Sequence, residues 1–578
     1  MNAEVYTMRI KTSKSKNSIS YYVIKDITRN GKRTTKVVEA LGNHEEILEK
    51  HPGVDPMEWA KEYAKQLTLE EKDKNKKISV QFNPKIKINA QEQNLFNVGY
   101  LFLQSIFNEL NMDKLSKRIA TQHQFKYDLG DILSRLIYTR ILSPSSKKST
   151  FDFAKTLLEQ PNFELHHIYR SLEVLSEHSN EIQEEVYKQS KKMISRDTNI
   201  LYYDCTNYFF EIEESDGLKQ YGRSKENRPN PIVQMGLFMD GSGIPLAFDL
   251  TTGNTNEQTT LKPIERRIIK DFELSKFVVC TDAGLSSNAN RKFNNIGQRA
   301  FITTQSVKKM KKFLKDWMFD TKGWKLSEGS KQYDINNIDE DTHYNRVFYK
   351  ERWIKEDGLE QRLIITYSPK YRQYQASVRQ GQIDRAVKKV ENPSNLKKKN
   401  AHDVNRFIST THITNDGEIA DQASHIIDEE KIAAEAQYDG FYAVCTNLES
   451  DVGEIITINQ KRWEIEESFR ILKTEFKSRP VYVRKDTCIQ AHFLTCFLAL
   501  TFFRILEKKL DEQFTCSQIT KTLRDMKVLK IGDEGFTPAY QRTEITDYLH
   551  KTFGFDTDYE IMSPKFIKNI LKQSKNRK

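Results

Sequence analysis

Cysteine is scarce in this sequence, and its spacing excludes two common kinds of site. Only six of the 578 residues are cysteines, and no two of them have the C-x-x-C spacing of zinc and redox sites. Most lie in apolar runs such as FVVC and FYAVC, where a thiol behaves as a small buried hydrophobe. The sequence therefore predicts free cysteines in a reducing compartment and no zinc centre.

Long apolar runs are also missing. The opening residues, MNAEVYTMRIKTSKSKNS, contain no apolar signal core. The most apolar run, residues 493–505, is too short to cross a bilayer and includes Arg504. We therefore expect a cytoplasmic protein without membrane contact, in which this run forms a buried helix.

Acidic residues are outnumbered, although not by a wide margin. The chain has 91 Lys and Arg against 80 Asp and Glu, which gives a net charge of +11 and a pI near 9.0. Such an excess suggests a nucleic-acid partner, and a lysine-biased soluble protein has the same balance. At this length the chain is expected to form about three to five domains.

The first 195 residues divide into two predicted domains. Residues 1–88 form a small basic β module, in which two β-type runs meet at Asn30-Gly31, a dipeptide typical of hairpin turns. This hairpin either lies along a phosphate backbone or belongs to a capping module with solvated lysines. Residues 89–195 have helical periodicity, typical of a DNA-binding or dimerisation domain and equally of a plain bundle. Within residues 89–195, the segment SPSSKK at 143–148 is typical of a helix N-cap, and its lysines could bind phosphate.

Residues 196–304 have the pattern of a mixed α/β layer. The β-type run NILYYDCTNYFFEI has Asp204 in its middle, and two further strands follow after short turns. A helix, a short strand with Asp282 just past it, a second helix and the strand AFITTQ complete the order βββ-αβ-αβ. A lone carboxylate within such a strand is costly to bury unless something binds it.

The rest of the chain is predicted to contain an insertion, the end of the same layer and a terminal region. Residues 305–439 are lysine-rich and read as a β-rich insertion, and residues 440–510 complete the α/β domain. Residues 511–578 are predicted to be a basic, helical C-terminal region. The predicted fold class is therefore α/β and multidomain, with a mixed sheet flanked by helices.

Residues 459–477, NQKRWEIEESFRILKTEFK, are predicted to form one amphipathic helix. At about 100° per residue, Arg462, Glu466 and Lys473 lie within roughly 40° of one another. The adjoining apolar stripe consists of Ile465, Phe469, Leu472 and Phe476. One carboxylate is thus placed between two cations, beside a stripe that packs on a core. Ordinary i,i+4 ion pairing on a core-packed helix is the alternative.

The three acids Asp204, Asp282 and Glu466 are the ligand types that divalent metal chemistry needs. In-line phosphoryl transfer uses two cations about 3.5–4 Å apart. Hard ions such as Mg²⁺ prefer oxygen ligands, so a few carboxylates and phosphate oxygens are enough to hold them. Arg462 and Lys473 are suited to meet the negative charge of the phosphate.

These acids and their surroundings resemble the bacterial insertion-sequence DDE transposases. That group has the signature Y-x2-R-x3-E-x6-K, which matches here at Arg462, Glu466 and Lys473, while Asn459 stands at the tyrosine position. Further matches are RWEIEESFRILK, YDCTNYFFE, GRSKENRP at 222–229, GNTNE at 253–257, TDAGLSS, IQAHFLTCFLAL and SPSSK. The resemblance covers most of the chain.

The resemblance implies an RNase H-like catalytic domain whose metal ligands are Asp204, Asp282 and Glu466. It implies two Mg²⁺ ions in each active site, with Mn²⁺ as a substitute. The implied partners are double-stranded DNA, as terminal inverted repeats and as target, and a second copy of the chain in a synaptic dimer. The implied reaction is strand cleavage at the element ends, followed by attack of the freed 3′-OH groups on target DNA.

Five cations are the predicted DNA contacts: Arg462, Lys473, Arg470, Lys225 and Arg228. Lys225 and Arg228 lie in the loop after the Asp204 strand, where they either contact phosphate or belong to an ordinary solvated loop. Trp463 is in a position where the resemblance allows it to support a flipped base. The base rate for aromatic residues favours simple packing instead.

Two other functions are compatible with the same acids. One is a structure-specific DNA nuclease on the RNase H fold, which cuts DNA without joining it. The other is a DNA-binding protein whose catalysis has decayed. The long insertion and the DNA-binding candidates at both ends of the chain favour a transposase over a nuclease. The presence of all three acids argues against a protein that has lost its catalytic activity.

Overall fold

The computed structural model describes residues 7–16, 18–29, 32–74, 80, 83–85, 87–90, 92–391, 403–412 and 423–576. The chain divides into two units, Met1–Glu92 and Gln93–Lys578. The boundaries predicted near residues 195, 305, 440 and 510 all fall inside the second unit, so they do not separate compact bodies.

The first unit is an antiparallel sheet with two helices. Its elements are β1 (Arg9–Lys14), β2 (Ile19–Arg29), β3 (Lys32–Asn43), α1 (His44–Lys50) and α2 (Pro56–Lys74). β2 pairs with both neighbours, which confirms the predicted hairpin and adds β1 to it. The predicted turn at Asn30-Gly31 lies outside the described residues. Asn43 caps α1 through a capping box with Glu46.

The second unit begins with a short strand and six helices. They are β4 (Leu95–Asn97), α3 (Tyr100–Glu109), α4 (Met112–His123), α5 (Leu129–Leu142), α6 (Lys147–Ala154), α7 (Leu165–Glu177) and α8 (Ser179–Met193). The helical periodicity predicted for residues 89–195 is confirmed. All but two residues of α5 are buried, because other elements surround it.

The central strands come next. They and their helices are β5 (Ile200–Phe209), β6 (Ile232–Asp240), β7 (Pro245–Thr252), α9 (Glu257–Asp271), β8 (Val278–Thr281), α10 (Asn288–Phe293) and β9 (Ala300–Gln305). β5, β6 and β7 form an antiparallel meander, while β8 is parallel to β5 and β9 is parallel to β8. The predicted order βββ-αβ-αβ is confirmed.

The predicted insertion is not an independent β domain. Its region contains α11 (Lys312–Phe319), β10 (Trp324–Leu326), β11 (Gln332–Tyr333), α12 (Glu340–His343), β12 (Phe348–Glu356), β13 (Leu359–Tyr367), α13 (Pro369–Glu391), β14 (Ile408–His412), β15 (Ala423–Ile427) and α14 (Glu429–Ala436). It is followed by β16 (Phe441–Thr446). β16 pairs with β9 on one side and β13 on the other, so one sheet runs β11-β10-β12-β13-β16-β9-β8-β5-β6-β7. β14 and β15 form a separate pair.

The remaining elements close the unit. They are α15 (Val452–Gln460), α16 (Trp463–Arg470), a π-helix (Ile471–Glu475), α17 (Asp486–Lys509), α18 (Cys516–Asp525), β17 (Lys527–Ile531), β18 (Gly535–Pro538), α19 (Glu544–Phe553) and α20 (Pro564–Gln573). The C-terminal region, predicted as helical, also contains two strands. They are present because β17 pairs with β4 at the start of the unit and with β18.

The helix α17 forms the centre of the second unit. By length and composition it is the one described helix that could cross a membrane, but 89% of its apolar window is buried inside the protein. It packs against α3, α5, α7 and β7, so the helical region and the sheet share one apolar core. The predicted buried helix at residues 493–505 is confirmed.

Candidate active site

Two aspartates meet at neighbouring interior strands of the large sheet. Asp204 lies on β5, and Asp282 directly follows β8, which pairs with β5 in parallel through Tyr202 and Cys280. Continuing that register by two residues sets Asp204 beside Asp282 on the same face of the sheet. Asp282 also begins a short 3₁₀ turn, where its Oδ1 accepts from the Leu285 N–H at 3.1 Å. The two acids are therefore neighbours.

The Asp204 carboxyl is poorly solvated and lies among charges of both signs. The pKa of Asp204 is raised to about 6, mainly by burial and also by the Asp282 carboxylate. The positive charges of Lys225 and Arg462 act in the opposite direction. Its Oδ1 accepts from the Cys205 N–H at 2.7 Å. A buried carboxylate beside a second carboxylate is stabilised by added positive charge, which a bound cation supplies.

Glu466 is linked to Asp204 through Arg462. Its carboxylate, on α16, is 55% exposed and lies 3.0 Å from the Arg462 guanidinium. That guanidinium also interacts with Asp204. Within the described residues, the carboxylates of Asp204, Asp282 and Glu466 do not form a cluster within 4.8 Å of one another. In this structure the Glu466 carboxylate is therefore paired with the Arg462 guanidinium and does not meet the two aspartates directly.

The prediction of one continuous helix over residues 459–477 is wrong. α15 ends at Gln460, a turn covers 461–462, α16 begins at Trp463, and its last turn passes into the π-helix. Such π-helical turns are frequent at functional sites. The predicted apolar stripe is buried all the same, since Ile465, Phe469, Leu472 and Phe476 are at most 6% exposed. The break precedes the stripe, so the stripe still docks on the core.

Lys473 ties the end of this helix to β5. Its Nζ donates to Thr206 Oγ1 at 2.6 Å and lies 3.7 Å from Glu226. Burial lowers the pKa of Lys473 to about 8, Lys225 lowers it further, and Asp204 opposes them. Because Thr206 is two residues beyond Asp204, both side chains lie on the same face of β5. Lys473 is thus brought together with the aspartate pair.

The loop between β5 and β6 adds a further cation to this group. The Lys225 Nζ donates to the carbonyl oxygen of Cys205 and lies 3.2 Å from Glu257. Burial lowers the pKa of Lys225, but the carboxylates of Asp204 and Glu257 outweigh this and raise it. Lys225 is therefore a charged neighbour of Asp204.

Two of the five predicted cations lie apart from the aspartates. Arg228 stacks at the end of β5, with its guanidinium carbon 4.2 Å from the ring centroid of Phe209. Arg470 pairs with Glu467 at 2.6 Å and with Glu475 at 3.7 Å. The charge of Arg470 is balanced by its own helix, so the structure does not bring it to the site.

Trp463 is exposed, contrary to the prediction that it packs. Its exposed fraction is 61%, and it lines a cavity of about 410 Å³ with Tyr371, Tyr442 and Glu466. As the first residue of α16 it lies before the buried stripe, so the core does not cover it. In the same cavity the Asn459 Nδ2 donates to the Tyr442 hydroxyl at 3.3 Å. Tyr442 of β16 thus lies beside Asn459, the residue at the tyrosine position of the signature.

Sequence reasoning did not single out Thr206, Glu226 and Glu257. Glu226 pairs with Lys473 and Glu257 pairs with Lys225, so both acids hold cations of the site in place. All three residues belong to the motifs YDCTNYFFE, GRSKENRP and GNTNE. Motif membership was the available signal, but the pairing of each acid with its cation depends on the folded sheet.

The fold and the site together define an enzyme that acts on phosphate esters. Two adjacent carboxylates lie on, and directly after, neighbouring interior strands of a mixed α/β sheet, and a third acid follows on a helix packed against it. The cations Lys225, Arg462 and Lys473 surround them. Carboxylates of this kind hold metal ions, and such cations stabilise charge on a phosphoryl group.

The family model described as transposase DDE domain matches residues 209–502, just over half of the chain. The chain belongs to this family: it is a DDE transposase, a phosphoryl-transfer enzyme that catalyses DNA transposition. Asp282 and Glu466 lie within the matched residues, and Asp204 lies just before them.

Three solved structures show weak similarity. A piggyBac transposase synaptic complex with hairpin DNA is 8% identical, with 85% of this chain and 87% of that chain covered and a TM-score of 0.36. A Mos1 transposase paired-end complex with left transposon end is 15% identical, with 44% and 69% covered and a TM-score of 0.13. A Mos1 mariner paired-end complex with Mn is 12% identical, with 45% and 71% covered and a TM-score of 0.14. These likenesses are too weak to bear on the fold. No curated protein matches the chain.

Proposed function

We propose that this transposase cuts DNA at the ends of its element and joins the freed 3′ ends to target DNA, with Asp204, Asp282 and Glu466 as its three acids. The observation that carries the proposal is the parallel register of β5 and β8, which sets Asp204 beside Asp282. The interactions of Arg462 with both Asp204 and Glu466 support the third acid.

The strand order supports an RNase H-like catalytic domain. An antiparallel meander of three strands is followed by two strands parallel to its first, in the spatial order β9-β8-β5-β6-β7. The acids lie on the first strand, after the fourth strand, and on a helix that packs against the first. Origin in a bacterial insertion sequence rests on the resemblance of the motifs.

The donor set suits two divalent ions. The ligands are hard carboxylate oxygens, which fit Mg²⁺ with Mn²⁺ as a substitute. Burial and the Asp282 carboxylate raise the pKa of Asp204, so this pair of acids gains from added positive charge. When bound, such ions polarise the phosphate and make water a stronger nucleophile. Lys225, Arg462 and Lys473 would orient the phosphate and meet its charge.

The proposed partners are double-stranded DNA, as terminal inverted repeats and target, and a second copy of the chain in the synaptic complex. The net charge of +11 supports a DNA partner. The basic N-terminal module and the helices α3–α8 are proposed to contribute to end recognition or dimerisation. The proposed location is the cytoplasm, which agrees with six free cysteines.

The direct test uses purified protein, labelled terminal repeats of its own element, target DNA and Mg²⁺, with the products sized on a denaturing gel. We expect cleaved ends and longer joined products. Cleaved ends without joining would indicate a nuclease, and bound but intact DNA would indicate decayed catalysis. Either result contradicts the proposal.

Replacing Lys473 or Arg462 by alanine is expected to weaken binding to end DNA and reduce its salt dependence. Each cation that contacts one phosphate contributes about 0.9 to the slope of log K against log salt concentration. The measurement is equilibrium binding between low and moderate salt. Lys311→Ala, which removes an exposed lysine paired with Glu356 in the region between β9 and β16, is the matched control and should leave the slope unchanged. A wild-type slope in Lys473→Ala would rule out a phosphate contact there.

A further inference from the structure

A cationic cavity lies at the start of α6, apart from the aspartate pair. It has a volume of about 320 Å³ and lies between the first turn of α6 and the chain that follows the π-helix. Its charged and titratable lining residues are Arg140, Lys147, Lys477, Arg479 and His492. None of the lining residues, all within the described part of the chain, is acidic. A cavity of this composition is suited to an anion.

Lys147 places a buried ammonium group in this cavity. The residue is 5% exposed, and its Nζ has no hydrogen-bond partner among the described residues. Burial lowers the pKa of Lys147 to about 7, and Arg140 lowers it further. An unpaired buried charge is costly, so the ammonium group gains stability from an anion in the cavity that it lines.

The first turn of α6 adds backbone donors at the same place. Ser146 is the N-cap, and its hydroxyl accepts from the Ser149 N–H at 3.2 Å. The N–H groups of Lys147 and Lys148 have no i−4 carbonyl within the helix. Backbone donors and the positive end of the helix dipole favour a phosphate. The helix and the buried ammonium thus point to the same kind of ligand.

The neighbouring Arg140 and His492 are already engaged. The Arg140 guanidinium donates to the carbonyl oxygen of Phe476 at 3.2 Å, which fixes α5 against the far wall of the cavity. Burial and the nearby cations lower the pKa of His492 well below its ordinary value, so its imidazole is neutral. Its Nε2 lies 3.2 Å from the carbonyl oxygen of Ser478. Unlike these two side chains, Lys147 has a charged group that makes no hydrogen bond at all among the described residues.

We propose that this cavity binds a phosphate group of the DNA backbone. The identity of the ligand rests on the proposed function, which supplies the DNA. At the cavity, Arg479 pairs with Glu226, the acid that Lys473 also approaches at 3.7 Å. The Val481 N–H donates to the carbonyl oxygen of Phe209 at the end of β5, at 3.2 Å. Lys473, beside the aspartates, and Arg479, in the cavity, thus approach the same acid, so the cavity lies next to the cations of the active site.

The mouth of the cavity favours a polymer over a free anion. Tyr482 lines it with 66% of its surface exposed, and Lys477 beside it is also exposed. An exposed aromatic ring next to a phosphate site offers a surface on which a sugar or base stacks.

Calorimetric titration of the full chain with inorganic phosphate, at constant ionic strength in chloride buffer, tests the site itself. We expect Lys147→Met and Lys147→Gln to weaken phosphate binding by roughly 10- to 100-fold, the usual effect of losing hydrogen bonds to a charged group. Both variants remove an unpaired charge, so they are expected to fold, which circular dichroism checks. Lys155→Met, at the exposed end of the same helix, should bind phosphate like the wild type. Equal affinity in the wild type and both Lys147 variants overturns the site.

Binding of the same proteins to end DNA tests the source of the phosphate. Lys147→Met should reduce the salt slope by about 0.9, whereas a further control, Lys311→Met, which removes an exposed lysine paired with Glu356, should leave the slope unchanged. Weakened binding of inorganic phosphate with an unchanged DNA slope overturns the assignment to DNA and leaves a site for a free anion. Neither measurement needs cleavage, so a protein that fails to cut DNA contradicts the proposed function without affecting this result.

Discussion

Changing Asp204 to asparagine is expected to abolish both cleavage and joining of DNA while leaving binding to the element ends intact. An amide has the size of the carboxylate but lacks its negative charge, so it holds a divalent ion poorly. We expect a loss of roughly 10³-fold or more in the rate of both steps, typical of removing one member of a unit that acts together. Asp282→Asn and Glu466→Gln should have the same effect.

The matched control for this prediction is Asp249→Asn. Asp249 is on β7 of the same sheet, and burial raises its pKa, as it does for Asp204. It interacts with Arg267 and lies apart from the three acids, so its amide variant should cut and join DNA like the wild type. Cleavage by Asp204→Asn at a near wild-type rate, with products sized on denaturing gels, would sink the assignment.

The same substitution should make the metal-free protein more stable at alkaline pH. The folded-state pKa of Asp204, about 6, lies above the ordinary value of 3.8, so its stabilising effect is complete below pH 3.8 and is lost as the pH rises through 6. With a chelator at pH 8, Asp204→Asn should therefore gain about 3 kcal/mol of unfolding free energy. At pH 4 the difference should vanish. A less stable variant at pH 8, in urea titrations, would contradict the burial of this carboxylate.

Adding Mg²⁺ should reverse that difference. An ion that binds the folded wild type stabilises it by mass action, and the variant loses this gain with its ligand. The melting temperature of the wild type should rise with Mg²⁺ concentration, and that of Asp204→Asn should rise less. Equal shifts in both proteins would argue against Asp204 as a ligand.

Much of the catalytic layer was predictable because its signals are local. The strand AFITTQ coincides with β9, and Asp204 lies within a β-type run that becomes β5. Helical periodicity identified the buried stripe that docks α16 on the core, since the side chains that must be covered recur at fixed angles. Patterns of this kind depend on neighbouring residues. They therefore predict the element correctly even where the predicted strand pairing around it is wrong.

The errors arose where distant segments decide the structure. Residues 305–439 are predicted to be a separate insertion, yet β13 within them pairs with β16 and extends the sheet, a pairing that no local pattern encodes. β17 depends in the same way on β4, more than four hundred residues earlier in the chain. The turn at 461–462 divides what periodicity predicts as one helix. Periodicity does not reveal this break, because Arg462 still pairs with Glu466 at the i,i+4 spacing of a helix. That the Lys147 Nζ has no hydrogen-bond partner within the described ranges is likewise visible only in the folded chain.

Replacing Asp240 by alanine is expected to lower the free energy of unfolding by about 3–5 kcal/mol, the usual effect of removing one partner of a buried ion pair. Its carboxylate is fully buried and lies 2.6 Å from the Nε of Arg196, itself 1% exposed. The other carboxylate oxygen accepts from the N–H groups of Ser242 and Ile244, both at 3.0 Å. Alanine would therefore leave a buried guanidinium uncompensated and release the turn between β6 and β7.

This loss bears on the active site because Asp240 pairs with Leu201 on β5, three residues before Asp204. Urea denaturation followed by circular dichroism measures the effect, with Arg346→Ala as the control. Arg346 forms an exposed ion pair with Glu328 at 3.0 Å, and exposed pairs contribute only about 0–1 kcal/mol. A loss in Asp240→Ala as small as that in Arg346→Ala would show that the buried pair does not hold β6 and β7 in place. A large loss would show that a buried charge pair away from the chemistry stabilises the turn that joins β7 to β6, the strand paired with the one bearing Asp204.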